Sequence, residues 1–379
     1  MFHHKRYKRV FCILLSLLLL TGCWDQRLLK DLKLVFTVAF DAGENDEIIS
    51  HVAIRETQKL SIGGKPGEAT VAVVEGDGIT LRDTRLTLDR RIPGEFSPSK
   101  MRVYLMGEEL AKQDLYSILD ILYRDPKSPL GSMLAIVQGK AEEVIHMQTI
   151  KETLLTEALT DLLVSNEDYT IIKNETVQTV CPVMFDPSAD FSLPVIKKIE
   201  TDDVEVVGMG LISDRKFTGV TLDAEHSTIL LLLGNNKRKI AQLNMMVKPE
   251  EENIRNRYMT LNVGKAKANM KAEINSPSDI KVNIELKIIG TIAEYPKNHL
   301  VNKKVVKELE SKATEDIEVK AQEVIKTLQE ANSDILKIGQ YLKVHHNTTW
   351  KELDWREVYP TIEIIPNVSV DITGTGIIN

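Results

Sequence analysis

Leu20-Thr21-Gly22-Cys23 is the segment of this chain whose residue types and spacing most directly specify a chemistry. An aliphatic residue, two small residues and a cysteine form a bacterial lipobox. The thiol is needed because diacylglycerol is joined through sulfur. The small residues let a peptidase approach the backbone between Gly22 and Cys23, and cleavage frees the Cys23 amine for a further acyl chain. One chain holds a protein only marginally, whereas two or more, at ~0.8 kcal/mol per buried CH₂, hold it stably. The upstream residues suit this reading. Lys5, Arg6, Lys8 and Arg9 form a basic n-region, and Val10–Leu20 is an apolar run broken only by Ser16. As a helix that run would be about 16 Å long against roughly 30 Å of hydrocarbon, too short to span alone. Residues 1–22 therefore read as a signal peptide with lipobox, and Cys23 as the lipid-bearing first residue of a chain held on the outer face of a membrane. The rival reading is an ordinary signal peptide with a cysteine nearby by chance.

Other chemistries fail on their residues. Gly63-Gly64-Lys65 is followed by Pro66, where a phosphate loop needs Ser or Thr to reach a metal. Gly208-Met209-Gly210 lacks the third glycine of a dinucleotide site, and no H-E-x-x-H, C-x-x-C or G-x-S-x-G occurs. His345 and His346 are adjacent, so they point to different sides of any regular element and do not suit one ion. No catalytic residue, cofactor or metal is expected, and the chain reads as a non-enzyme. Two clusters remain as binding candidates. Lys237-Arg238-Lys239, with Lys265, Lys267 and Lys271, could meet anionic head groups, or could be a solvated strand face. Trp350 and Trp355 belong to WKELDWREV, and a spacing of five does not stack them on one helical face, so they read as pins of that segment to the sheet, with a partner hot spot as the alternative.

Composition sets the bounds. The chain has 379 residues, 43% of them apolar and 27% charged, with formal charge −7. This is globular rather than disordered, collagenous or polytopic, and a general nucleic-acid binder is a poor fit. Loss of the four basic residues of the signal takes the charge to −11. Of three cysteines, Cys12 leaves with the signal and Cys23 carries lipid, so Cys181 is alone and no internal disulfide can form. Before Pro182 in an apolar stretch, Cys181 reads as a buried hydrophobe.

The elements that carry these residues fall into two regions, 23–200 and 201–379. In the first, strands at 32–40, 51–56, 101–106 and 132–137 alternate with helices at 81–90, 108–123 and 149–164, an α/β layer. The Pro- and Asp-bearing stretch Cys181–Pro194 suggests the boundary. In the second, residues 222–234 form a helix capped by Asp223, although 229–233 alone could pass as a strand. Strict alternation over 266–274 and 280–288 marks strands, and 305–328 a long amphipathic helix whose outer face (Glu308, Lys312, Glu315, Lys320, Glu323) is solvated. Residues 333–344 continue as helix, and 361–372 form a strand that Pro366 confines to an edge or bulge. The fold class is α+β and multidomain, with mixed and antiparallel sheets each packed with helices.

Together these residues resemble the C-subunit lipoprotein family of bacterial spore germinant receptors. Cys23-Trp24-Asp25-Gln26-Arg27 matches that family's opening Cys-Trp-Asp-x-Arg, with Leu28 departing from its usual acid. Arg102–Pro126 matches its strand, Gly-Glu-Glu-x-Ala helix and closing Arg-Asp, and Val207–Thr218 resembles its glycine-bearing hairpin. Asp334 to Trp355, with the last strand and Gly374, resembles its carboxyl end. The resemblance implies a three-domain architecture and a non-enzymatic subunit on the outer surface of the spore inner membrane. It would work there beside a multi-pass A-type subunit and a transporter-like B-type subunit in the response to nutrient germinants. The alternative is a lipid-anchored solute-binding protein, which would show two similar lobes around a polar cleft.

Overall fold

The computed structural model describes residues 32–56, 70–200, 202–277 and 279–376. Burial along β1 (Leu32–Ala42) is nearly continuous from Thr37 to Asp41 rather than alternating, as expected for a strand covered on both faces. β1 pairs antiparallel with β2 (Ile48–Glu56), and β2 with β3 (Thr70–Gly78). On its other side β1 runs parallel to β5 (Val103–Gly107), β5 to β6 (Met133–Val137), and β6 to β9 (Ser192–Glu200). The hairpin of β10 (Asp203–Ser213) and β11 (Lys216–Asp223) closes one end of the sheet, and short β4 (Glu95–Ser97) lies along the first residues of β1. The order is β11-β10-β9-β6-β5-β1-β2-β3, nine strands with β4 among the described residues.

Helices cover both faces. One core packs α1 (Leu81–Arg91), α2 (Glu108–Ala111), α3 (Leu115–Arg124) and α6 (Val177–Met184) against the sheet. The opposite core uses α4 (Glu142–Ile145) and α5 (Leu155–Asp168). Three expectations need correction. The helix expected from Glu108 is two, because the Asp114 side chain caps a new start by accepting from the Tyr116 N–H at 3.2 Å. The helix expected from Thr149 begins only at Leu155. Residues before it form a hairpin of β7 (Thr149–Ile150) and β8 (Thr153–Leu154), turned by the positive φ of Lys151 and Glu152. The sheet also continues past residue 200: β9 and β10 pair from Glu200↔Asp203 to Ser192↔Leu211. Cys181–Pro194 is therefore a helix end and a strand start inside the first sheet, and its prolines and aspartates mark a local turn only.

The second sheet has the order β12 (Gln242–Met246), β13 (Tyr258–Ser276), β14 (Asp279–Glu294) and β15 (Glu363–Gly374), antiparallel except for β14 with β15. Ile280, Val282, Ile284, Leu286 and Ile288 face the core, and Lys281, Glu285 and Lys287 face outward. The 28-residue helix α8 (Lys303–Glu330) buries Leu309, Ala313, Ile317, Ala321, Val324 and Leu328 there, as its spacing predicts. α7 (Ala224–Leu233) is a helix, capped by Asp223 through the His226 N–H at 2.9 Å. Ser227 to Leu233 are all buried, since α7 lies between the two sheets: Leu230 joins the second core and Leu231 the first. Small α9 (Ile338–His345), α10 (Asn347–Trp350) and α11 (Trp355–Val358) lead to β15. Each sheet is packed with helices, one mixed and one largely antiparallel, so the α+β class read from the sequence holds.

β15 is an edge strand, one of the two places open to Pro366. Its outward amides are covered by α8. The N–H groups of Val368, Val370 and Ile372 donate to Glu318 Oε2 (3.3 Å), Thr314 Oγ1 (3.2 Å) and Glu310 Oε1 (2.9 Å). Four helical residues rise about 6 Å and two strand residues about 6.6 Å, so the two ladders stay in register. The outer face of α8 is only partly solvated. Lys320 bridges Asp316 (2.7 Å) and Glu225 of α7 (2.6 Å), Glu308 pairs with Lys248, and Glu323 lies 3.4 Å from His226.

Replacing Glu310, Thr314 and Glu318 together with alanine is expected to cost about 0.5–1 kcal/mol per lost bond in urea unfolding. It should also produce concentration-dependent association through the uncovered edge, read by size-exclusion chromatography.

Candidate functional site

Open α/β sheets place ligands beyond the carboxyl ends of their parallel strands. Here the chain fills that place itself. Asp41, at the end of β1, accepts from the N–H groups of Ala141 and Glu142, both at 2.8 Å, at the start of α4. An anion-binding position is thus taken by the protein's own carboxylate. Gly107, closing β5, makes the approach possible, because a Cβ there would lie 1.9 Å from Asp41 Oδ1. His51 of β2 is 1% exposed, with Nε2 3.6 Å from Asp41 and Nδ1 3.9 Å from Glu75. Burial lowers its pKa despite these acids, so the imidazole is neutral at pH 7.

The residues singled out in the sequence are dispersed. Gly22, Cys23, the Trp24–Arg27 motif and Gly63-Gly64-Lys65 lie outside the described residues. Gly208 serves packing: its φ is +149°, and a Cβ there would meet the Leu222 carbonyl oxygen at 2.0 Å. The Lys237-Arg238-Lys239 cluster is neither a free basic patch nor a strand face. Arg238 pairs with Glu167, and Lys239 Nζ lies 2.7 Å from Asp168, so both cations sit at the carboxyl end of α5. The Arg238 N–H also donates to Thr170 Oγ1 at 3.0 Å, and this stretch fastens the second sheet to the first. His345 and His346 pack against Tyr341 (ring centroids 4.5 and 6.2 Å apart). Cys181 is half-buried in α6, and burial raises its thiol pKa, away from thiolate reactivity. Among the described residues no group of three or more His, Cys, Asp or Glu is arranged to hold a metal, and no helix is long and apolar enough to cross a membrane.

The strongest polar constellation joins the two sheets, and the sequence reading did not find it. Asp190, just before β9, uses both carboxylate oxygens twice. Oδ1 accepts from Arg356 Nη2 (2.7 Å) and the Asp214 N–H (3.2 Å), and Oδ2 accepts from Arg356 Nη1 (2.7 Å) and the Asp334 N–H (2.9 Å). Asp334 is buried and accepts from the N–H groups of Ile338 (2.9 Å) and Gly339 (2.8 Å) and from Trp355 Nε1 (3.1 Å). Burial pushes its carboxyl up to about 7, against those three donors. Ser333 Oγ donates to the Ile212 carbonyl and Ser213 Oγ to the Asn332 carbonyl, both at 2.6 Å, so the bonds cross in both directions. Trp350 and Trp355 do meet, at 5.7 Å between centroids, because the break between α10 and α11 brings them round. Both pack on the core of the second sheet, and Trp355 also ties the segment to Asp334. A cavity of about 390 Å³ opens beside the clasp, lined by Lys173, Glu175, Asp190, Met209, Leu230 and Lys337. Its Glu175 is taken by Lys173 and by the Thr179 hydroxyl. The nine- and four-stranded sheets flanking it are unlike, so the similar lobes of a solute-binding protein are absent from the described residues.

Comparison with known proteins matches both halves. Residues 25–198 fit the family model described as the spore germination protein N-terminal domain. Residues 207–376 fit that described as spore germination B3/GerAC like, C-terminal. Spore germination protein GerQC of Bacillus cereus is 25% identical over 98% of this chain and 99% of its own length. Spore germination protein KC of Bacillus subtilis (strain 168) is 21% identical over 97% and 95%. The crystal structure of the GerBC protein superimposes with a TM-score of 0.55 at 17% identity, covering 89% of this chain and 96% of that one, and so shares the fold.

The clasp yields two expectations. Arg356→Met leaves Asp190 buried without its cation and should lower stability by about 3 kcal/mol in urea unfolding; Arg356→Lys should only partly rescue, since one ammonium cannot make the paired bonds. For Asp334, the folded carboxyl keeps its proton to about pH 7, whereas the unfolded one loses it near 3.8. The native state therefore binds the extra proton between those values, and this group's contribution falls as pH rises through that window. Unfolding free energies at pH 5 and pH 8 should show that slope, and Asp334→Asn should remove it.

Proposed function

Because the chain belongs to the GerAC-like family of spore germination proteins, we propose that it is the lipid-anchored C subunit of a nutrient germinant receptor. The observation that carries the reading is the lipobox Leu20–Cys23 directly ahead of a chain whose two halves both match the family models. Diacylglycerol on the Cys23 sulfur and an acyl chain on its amine would hold the body on the outer face of the cell membrane and, in the spore, of the inner membrane. Confinement to that surface raises its effective concentration near integral-membrane A-type and B-type subunits without any increase in contact affinity.

The body acts by contact rather than turnover. In support, the crest of the first sheet is filled by Asp41, and the polar network at the junction binds the protein to itself. His51 is shut away from solvent, and burial raises the Cys181 thiol pKa. The lipid-anchored solute-binding alternative draws no support from the two unlike sheets.

Cys23→Ala is expected to move the protein from the membrane to the soluble fraction of spores and to impair nutrient germination, while circular dichroism of the purified body stays unchanged. Full membrane retention by the variant would contradict anchoring. Crosslinking in intact spores should recover integral-membrane partners with the protein; repeated recovery of the protein alone would contradict the subunit role.

A further inference from the structure

A lipid on Cys23 would restrict which surface can reach the bilayer. This inference rests on the anchored reading above and adds an orientation and a class of lipid. Nine residue steps separate Cys23 from Leu32, and a fully extended chain of that length reaches at most about 31 Å. β13 alone has 19 residues, or roughly 60 Å. The tether therefore favours the surface around Leu32 over the distant parts of the molecule.

That surface is assembled from three separated segments. Leu32 pairs with Glu95 and Leu34 with Ser97, where β4 follows the end of α1. The Arg102 N–H donates to the Phe36 carbonyl at 2.9 Å, and the Met133 N–H to the Arg102 carbonyl at 2.8 Å. The start of β1, residues 89–102 and residues 124–132 thus form one rim at the amino ends of the parallel strands β1, β5 and β6. Residues 89–102 and 124–132 hold six cations and three acids, and of those cations Arg91 is paired with Asp77 and Arg124 with Asp120. Lys100, Arg102 and Lys127 are exposed and make no ion pair among the described residues. Leu130, 39% exposed, stands on the same turn as Lys127. The chain from Cys23 onward carries −11 overall, so an anionic surface repels the body as a whole and attracts it at this rim. Lys237-Arg238-Lys239 does not compete, since Arg238 and Lys239 are paired with Glu167 and Asp168.

We propose that this rim, centred on Lys100, Arg102 and Lys127, seats the anchored protein on anionic phospholipid head groups. The Asp41 crest, at the opposite ends of the same strands, then faces away from the bilayer.

The test uses the full lipidated chain with Cys181→Ser, reconstituted in vesicles of phosphatidylcholine with or without phosphatidylglycerol. A fluorophore is placed at Ser99→Cys on the rim or, separately, at Glu44→Cys on the crest turn. Nitroxide on the lipid head groups should quench the rim label in vesicles containing phosphatidylglycerol and spare the crest label. Neutralising one rim cation should lower the seated population roughly fivefold, and high salt should act in the same direction. Two results overturn the proposal in distinguishable ways. Equal quenching of both labels on protein that floats with the vesicles removes the orientation and leaves the anchor. Failure of the lipidated chain to float removes the anchored reading and the orientation with it.

Discussion

The Asp190 carboxylate is the group on which the arrangement of this molecule depends. It is buried, and its two oxygens take both arms of the Arg356 guanidinium and two backbone amides from 24 and 144 residues away. A buried ion pair is weak evidence for stability, because its desolvation cost rivals its attraction. What it supplies is geometry. A planar fork against a planar carboxylate admits one orientation, so the hairpin of the first sheet, the turn before α9 and the helix α11 meet in one way. The crossed serine bonds and the pairs of Arg238 and Lys239 with the acids of α5 repeat the same connection at several points. With α7 buried between the two cores, the sheets behave as one body.

A body of this kind suits work by contact at a surface. The crest where an α/β enzyme would hold its substrate is closed by Asp41, and Gly107 is glycine because that carboxylate needs the space. Exposed sheet edges invite association, and side chains bond to two of them. Glu310, Thr314 and Glu318 cover β15. The Gln148 amide meets both the N–H and the carbonyl of Val71 on β3, at 3.0 and 2.9 Å. What remains available for partners is surface, and its charge is unevenly distributed: a net acidic chain with a basic rim beside the first residues of β1.

The parts legible in the sequence are those governed by local periodicity or capping. The alternation of Ile280 to Ile288, the six-point apolar stripe of α8, the Asp223 cap and the edge position allowed by Pro366 all follow from residues close in the chain. The motif residues around Gly107 and Gly208 pointed to the family, although their reason, close approach to Asp41 and to Leu222, needs three dimensions. What was not legible is long-range. Asp190, Asp334 and Arg356 are separated by 144 and 166 residues, and nothing in the chain pairs them. For the same reason Lys237-Arg238-Lys239 read as a head-group patch or a solvated strand face when its acids lie on the distant helix α5, and prolines near residue 187 read as a boundary inside a continuous sheet. The rim around Leu32 was invisible too, because its three segments join only when β1, β5 and β6 align.

We propose that a thioether-linked glyceride on Cys23 fixes this body outside the cell. Intact-mass analysis of the amino-terminal peptide from protein extracted out of spore membranes tests it most directly. The expected peptide begins at Cys23 and carries the mass of a diacylglyceryl group. A free Cys23 thiol on a chain that still begins at Met1 would contradict it.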